Sequence, residues 1–563
     1  MVRRTKTRQS KLYRATRSLW YATANSFAMA DWARIGVAPL RNRSCRSRHL
    51  YHRPVISRVH SFVLQGIDAV PCEIEVDLTP SEMPSTRIVG LPDAAVRESI
   101  QRVRAAILNS GFRAPRSHAT INLAPATIRK EGPVYDLPIA LAILQASGTI
   151  HPPAGNSVPG VDEYLVAGEV ALDGRVRSIR GAVSLGQLAA TLGKRGVIVP
   201  SANAAEAAIV DGIDVHGATC LRDVVAMFNG AGSIEPHPWV DMESVIAGAR
   251  PEIDFADVRG QETAKRAITI AAAGAHNLLM IGPAGTGKTM MARALPGVLP
   301  PLSRAEAVEV TRIYSSVGRL ARRRPLKALR PVRAPHHTAS AAAIVGGGSV
   351  PRPGDVTLAH RGVLFLDELP EFARNVLETL RQPLEDGCVT IARVHGSVKF
   401  PAKFMLVAAM NPTPRGGTAD DDVSHQAMDR YLAKLSGPLV DRIDIHVEVP
   451  AVPYRTLKGT RCGTGTEAMR AQVSEARGRQ TERQGPRLLN AELSGRQLDR
   501  FAAMDEPASL LLGQAMGELG LSARGYDKIR RVSRTIADLE GSEHVQSHHV
   551  AEAIQYRLLD RVR

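Results

Sequence analysis

The chain has 563 residues, too many for one hydrophobic core, so three or four domains are expected. No apolar run approaches the ~20 residues a bilayer span requires. Five scattered cysteines, with no C-x-x-C pair, argue against a disulfide framework and for a reducing, cytoplasmic setting. The formal charge of +17 is concentrated at the start: residues 1–58 hold 14 of the 72 Lys and Arg but one of the 55 acids, Asp31, leaving 58 bases against 54 acids. Nucleic-acid contact by the body must therefore come from local patches.

Residues 1–57 are rich in Arg and Ser and have no sustained period and no apolar core for a secretory signal. A transit peptide, a disordered basic arm and a start codon chosen too far upstream all fit, and the last two together are favoured. Order is expected from Ser57. "AVPCEIEVDL" alternates like a strand, and "LPDAAVRESIQRVRAAILNSGF" reads as a helix capped by Asp93 and ended at Gly111. "HATINLAPA" and "YLVAGEVALDGRV" read as strands, "DLPIALAILQAS" and "AVSLGQLAATLG" as helices. Residues 58–230 are thus expected to form a mixed α/β domain, followed by a linker over 231–252. From 253 to 452, helices alternate with apolar strands, the pattern of a parallel-sheet α/β domain. A connector over 453–488 then leads into a helical piece over 489–563.

Within that second domain, "GPAGTGKT" follows the apolar strand "NLLMIG" and fits G-x-x-x-x-G-K-[ST]. Gly282, Pro283, Ala284, Gly285, Thr286 and Gly287 would wrap backbone N–H groups around phosphates. Lys288 would reach the β and γ oxygens, and the Thr289 hydroxyl would ligate Mg²⁺. "GVLFLDELPEF" ends a second apolar strand in Asp367 and Glu368. Asp367 would hold the same cation, and Glu368 would polarise the attacking water. A third strand, "KFMLVAAMN", delivers Asn411. Taken alone, an Asn here could simply end the strand; behind the two preceding motifs it is expected beside the γ-phosphate. "LVDRIDIHVEV" puts Arg442 at the mouth of a strand, and "LSARGYDKIRRVSRTIADL" puts Arg524 at a helix start, with Arg534 the runner-up. Arginine suits spreading negative charge on phosphoryl oxygens, though either residue could be a surface ion-pair partner.

The chain from about residue 58 onward resembles the AAA+ ATPases, and more narrowly the ComM/YifB family of magnesium-chelatase-like proteins. The likeness is carried by "IVGLPDAAVRESIQRVRAAILNSGF", "RPVRAPHHTASAAAIVGGGSVPRPGDVTLAHRGVLFLDELPEF" and "SGPLVDRIDIHVEVP". It implies an AAA+ P-loop domain with a helical C-terminal lid, using ATP and Mg²⁺ in a ring, expected to be hexameric. Gly282–Thr289, Asp367, Glu368, Asn411 and Arg524 would act in cis and Arg442 in trans. Members of the ComM type are DNA helicases that drive branch migration in natural transformation. A magnesium-chelatase motor subunit and a chaperone-like AAA+ scaffold are the alternatives.

A basic run before the second motif, "GRLARRRPLKALRPVRAPHH", contains Arg322, Arg323, Arg324, Lys327, Arg330 and Arg333 and no acid. Such a run would attract DNA phosphates, or it is a solvated loop. The family carries an extra pore-facing hairpin in this region, which favours DNA. Adjacent His336 and His337 are read as structural.

The N-terminal domain resembles the Lon-protease (ribosomal S5 domain 2-like) fold. Val134 and Leu185 stand where the catalytic Ser and Lys would be, so no proteolysis is expected. The family usually follows its sensor Asn with two close cysteine pairs that would suit zinc. Here "NPTPRGGTADDDVSHQ" keeps none, so no zinc is expected.

Overall fold

A computed structural model describes residues 56–151, 158–321, 324–348, 350–393, 396–412, 437–454, 463–518 and 520–557. The expected basic extension lies outside these residues except for its last two.

β1 (Ser57–Gln65) turns through Gly66 and Ile67 into β2 (Asp68–Pro80), the strands pairing antiparallel from Gln65↔Asp68 to Ser57↔Val76. The alternation read in the sequence is real: Cys72, Ile74 and Val76 are buried. β3 (Ser85–Val89), β4 (Ser117–Ala124) and β5 (Tyr164–Val166) follow. The predicted strand at 164–176 is broken after Val166, and its remainder forms a separate ribbon of β6 (Glu169–Val170) with β7 (Val176–Arg177). With β8 (Gly196–Pro200) and β9 (Asp214–Ala218), the main strands make a seven-stranded mixed sheet in the order β3-β4-β2-β1-β5-β8-β9.

Helices cover both faces. α1 (Ala94–Asn109) starts where the Asp93 side chain accepts the Val96 N–H at 2.7 Å, and Gly111 follows its end at φ +85°. Its Val96, Val103 and Ile107 pack with Ile139 and Ile143 of α2 (Asp136–Ala146) against Val59 and Ile121. On the other face, α3 (Ala182–Thr191) and α4 (Ser201–Ala207) set Leu185 and Ala204 among Phe62, Val197 and Val199. Val134 and Leu185 therefore serve packing. Part of the stretch read as linker is α5 (Met242–Gly248).

The second sheet consists of β10 (Leu278–Ile281), β11 (Val332–Arg333), β14, β17 and β18, all parallel, and two hairpins project between them. The short one is β12 (Gly346–Gly347) with β13 (Arg352–Pro353), preceding β14 (Val363–Leu366). The longer one is β15 (Cys388–Arg393) with β16 (Gly396–Pro401), preceding β17 (Met405–Met410); β18 (Ile445–Glu448) comes last. The order is β11-β14-β17-β10-β18. The continuous apolar runs "VLFL" and "MLVAAM" are buried throughout, as strands covered on both faces require. The covering helices include α6 (Glu262–Gly274), α7 (Lys288–Val298), α8 (Arg304–Ser316), α9 (Ala341–Val345) and α10 (Arg381–Asp386). This is the AAA+ P-loop fold. Its helical C-terminal part holds α11 (Thr466–Gln484), α12 (Glu506–Glu518), α13 (Ala523–Glu540) and α14 (Ser547–Gln555). α13 packs Ile529, Val532 and Ile536 against the Ala- and Ile-rich face of α6.

Residues Pro54–Arg563 form one compact unit, and a shared apolar cluster shows why. Val183 of α3 and Ile209 of the turn after α4 meet Met242 of α5 and Leu302, Ala307 and Leu326 beyond it. The Gly181 N–H also donates to the Ser315 carbonyl at 3.1 Å.

An ionic network ties α8 to the turn before β14. Glu306 receives Arg330 at 3.1 Å and Arg361 at 3.5 Å; Glu309 receives His360 and Arg361, each at 3.1 Å. His360, 3.1 Å away, holds the Glu309 carboxyl down to about 2 against the opposing cost of burial, with Arg361 assisting. A carboxyl depressed in the folded state contributes stability above its ordinary value of 4.5, lost as pH falls towards 2. Glu309→Gln should therefore flatten the dependence of melting temperature on pH between those limits, as calorimetry across that range would test.

Candidate functional site

The interleaving of β17 between β10 and β14 assembles the site. Ile281 lies opposite Met410, and Leu366 lies opposite Ala408, so Gly282, Asn411 and Asp367 leave the sheet along one edge. The Gly282 N–H donates to the Met410 carbonyl at 3.1 Å, which fixes the level of the turn that follows. Gly285 and Gly287 have φ of +79° and +91°, and a Cβ on either would point into open space, so the turn is an open cradle only glycine enters without strain. α7 then begins at Lys288, its first N–H groups facing the cradle.

Lys288 is buried, and its Nζ donates to the Gly282 and Pro283 carbonyls at 2.6 and 2.7 Å and to Asn411 Oδ1 at 3.3 Å. Burial pulls its pKa down while Asp367 opposes this. The Thr289 hydroxyl donates to Asp367 Oδ2 at 2.8 Å. A hydroxyl and a carboxylate oxygen meeting at the first turn of a helix suit a hard cation such as Mg²⁺. The Asp367 Oδ1 accepts the Glu368 N–H at 3.0 Å, and Glu368 itself takes the left-handed conformation at φ +53°. That conformation costs a non-glycine residue roughly 1 kcal/mol or more.

His337 was read as structural, yet its Nδ1 lies 3.1 Å from Glu368 Oε2. His336 turns aside to Thr338, 2.9 Å away. Nothing in the dipeptide distinguished the two; only the fold of β11 onto β14 brings His337 across.

Arg442 and Arg524 lie elsewhere. Arg442 precedes β18, whose four residues run beside Leu278–Ile281, so it sits at the opposite edge of the sheet from Gly282. Four residues of strand span about 13 Å. Its backbone is held there by Asn277, whose side-chain amide donates to the Arg442 carbonyl at 2.8 Å. The Arg442 guanidinium pairs with Glu385 of α10, and burial, then Arg381 and Arg524, lower its pKa. Arg524, expected to act in cis, lies at the same end of the sheet as Arg442. It approaches Asp441 at 3.7 Å, beside Arg442, because α13 is anchored by Lys528 on the Ile443 carbonyl at 3.1 Å. Arg534 is buried and spends its donors on Asp538 and the Ser542 and Glu543 carbonyls.

The expected basic patch breaks up. Arg322 and Arg323 lie outside the described residues, and Arg324 is exposed. Lys327 is half-buried with Nζ 4.3 Å from the centre of the Tyr314 ring. Arg330 is 11 % exposed and bonds Glu306 and the Pro300, Pro301 and Arg361 carbonyls. Arg333 pairs with Asp355 at 2.6 Å. The stretch contains no acid of its own, but folding supplies Glu306 and Asp355 from outside it.

The β15–β16 hairpin offers further exposed bases, Arg393 next to the short hairpin that carries Arg352, and Lys399 on the other face of the ribbon. Arg393 Nε donates to the Gly348 carbonyl at 3.1 Å, joining the hairpins. The alternation in "CVTIAR" and "SVKF" was the available sign of it. The loop after Pro412, with its missing cysteines, lies outside the described residues. A cluster of Glu540, His548 and His549 is a hydrogen-bonded set: His549 Nδ1 accepts the Gln546 N–H at 2.9 Å, so its Nε2 carries the proton towards Glu540.

Comparison with known proteins gives three consecutive family matches. "Subunit ChlI of Mg-chelatase" matches residues 74–203, "Magnesium chelatase, subunit ChlI" residues 254–457, and "Magnesium chelatase, subunit ChlI C-terminal" residues 463–557. The competence protein ComM of Haemophilus influenzae is 42% identical over 509 residues, covering 90% of this chain and 98% of that protein. The YifB protein of Salmonella typhimurium is 41% identical over 508 residues, 90% of this chain and 97% of its own. The magnesium-chelatase 38 kDa subunit of Rhodobacter capsulatus is 26% identical over 336 residues, 56% of this chain and 90% of its own.

Arg330→Ala should lower stability by about 3 kcal/mol, because it removes the donor of three carbonyls and the nearer of the two arginines paired with Glu306. Thermal or denaturant unfolding would register that loss. Arg324→Ala, at an exposed position, should leave the unfolding transition unmoved.

Proposed function

Because the chain belongs to the ComM/YifB family of magnesium-chelatase-like AAA+ proteins, we propose that it is an ATPase whose turnover drives the movement or branch migration of DNA. The observation that carries the reading is the Thr289–Asp367 hydrogen bond beside Lys288 and Asn411, at the mouth of an open glycine cradle. Bound Mg²⁺–ATP supplies the phosphoryl group and the cation that neutralises its charge. Gly282–Thr289 would hold the phosphates through backbone N–H groups and Lys288 Nζ, and Thr289 and Asp367 would hold the cation.

Glu368 accepts a hydrogen bond from the attacking water and aligns it, and Asn411 fixes that water from the neighbouring strand. Phosphoryl transfer depends on such positioning more than on base strength. His337 Nδ1 lies 3.1 Å from Glu368 Oε2 and would help to orient the carboxylate. Arg442 and Arg524, a strand's length from their own Gly282, would serve a nucleotide held by a neighbouring copy. A closed ring of copies, hexameric by the family resemblance, completes each site.

The DNA half rests on the joined hairpins with their exposed Arg352 and Arg393 and on the resemblance to the competence protein. Among the described residues no helix is long and apolar enough to cross a membrane, in keeping with a cytoplasmic site of action. A metal-chelatase motor is the second reading, favoured by the family matches; the chelatase relative aligns with 56% of this chain.

Lys288→Ala should weaken binding of a fluorescent ATP analogue at least about tenfold, and Glu368→Gln should keep binding but lose about a hundredfold in kcat. Mixing Lys288→Ala protein with Arg442→Ala protein should restore turnover above either alone, because mixed interfaces regain a complete site. Turnover by the wild type that branched DNA fails to accelerate would remove the DNA half of the proposal.

A further inference from the structure

The turn between β1 and β2 carries an apolar residue at its tip, where hairpins ordinarily place polar ones. Ile67 is 3 % exposed, and its side chain belongs to the apolar core of the AAA+ module, the cluster that includes Phe400 and Val389 of the β15–β16 hairpin. Beside it, Gly66 has φ +68°, and a Cβ there would lie 2.5 Å from Val398 Cγ1 and 3.3 Å from Phe400 Cε1. The glycine is required both for the turn and for the close approach to β16.

The turn is also clamped from behind. Ser184 Oγ on α3 donates to the Ile67 carbonyl at 2.7 Å. Arg312 on α8 reaches Asp68 at 3.3 Å and Gln187 at 3.4 Å. The tip is thus held by one helix of each domain and pressed onto the ribbon.

A two-stranded ribbon is marginally stable by itself and needs a further surface to fix its position. At one end this ribbon bears Arg393, which joins it to the short hairpin; at the other, β16 runs through three residues into β17, the strand that ends at Asn411. We infer that the Gly66–Ile67 turn is a positioning wedge by which the N-terminal domain sets the β15–β16 hairpin for its contact with DNA. The DNA contact rests on the function proposed above; the docking does not.

The test uses the full chain with Ile67→Ala and Ile67→Leu. Amide hydrogen exchange over 388–401 should rise at least about tenfold in Ile67→Ala, with β14 and β17 unchanged. Turnover stimulated by branched DNA should fall at least about fivefold, while turnover without DNA stays within about twofold, and Ile67→Leu should restore both readings. Unchanged hairpin exchange in Ile67→Ala would overturn the wedge, as would a rise in exchange that spreads equally over β14 and β17. If DNA fails to stimulate the wild type, the proposed function falls, and the exchange comparison alone still decides the wedge.

Discussion

The hydrogen bond from Thr289 to Asp367 joins groups 78 residues apart, and it exists because β17 lies between β10 and β14 in parallel register. The strand order brings a glycine cradle, an amide and a carboxylate to one edge of the sheet. Each member then constrains the others. Lys288 is held by the two carbonyls that open its own turn and by Asn411, so the middle strand regulates where the lysine rests. The buried apolar strands supply the rigidity for this. A one-residue slip of β17 would move Asn411 out of reach and turn its buried side chains to the wrong face.

Charge in this molecule follows the fold more closely than it follows the sequence. The basic run before β14 is continuous in sequence, yet Arg330 and Arg333 are spent on Glu306 and Asp355. The same logic isolates Arg442 and Arg524 at the far edge of the sheet, where Glu385 and Asp441 hold them. Burial of a guanidinium needs such partners, since an unpaired buried charge costs several kcal/mol.

The parallel sheet, the phosphate loop and the two acidic residues after β14 were legible because each combines an apolar run with a local motif. Asp93 as a cap and Gly111 as a terminator were legible for the same reason: the physics is confined to neighbouring residues. What sequence could not supply was distance between segments. His337 meets Glu368 across 31 positions, and Arg524 meets Asp441 across 83, by the packing of α13. The β15–β16 hairpin left a readable alternation that competed with the stronger signals on either side. The stretch taken as linker hid α5 because a seven-residue helix with one buried side chain has almost no period.

The cluster of Val183, Ile209, Met242, Leu302, Ala307 and Leu326 bears on how the chain can be divided. A cut placed in the Gly- and Pro-containing stretch between the two sheets looks harmless in sequence. It would leave each half with a bare apolar patch, and would also open the pocket around Ile67. Halves made separately would each present that patch to solvent, the kind of surface on which proteins adhere or aggregate.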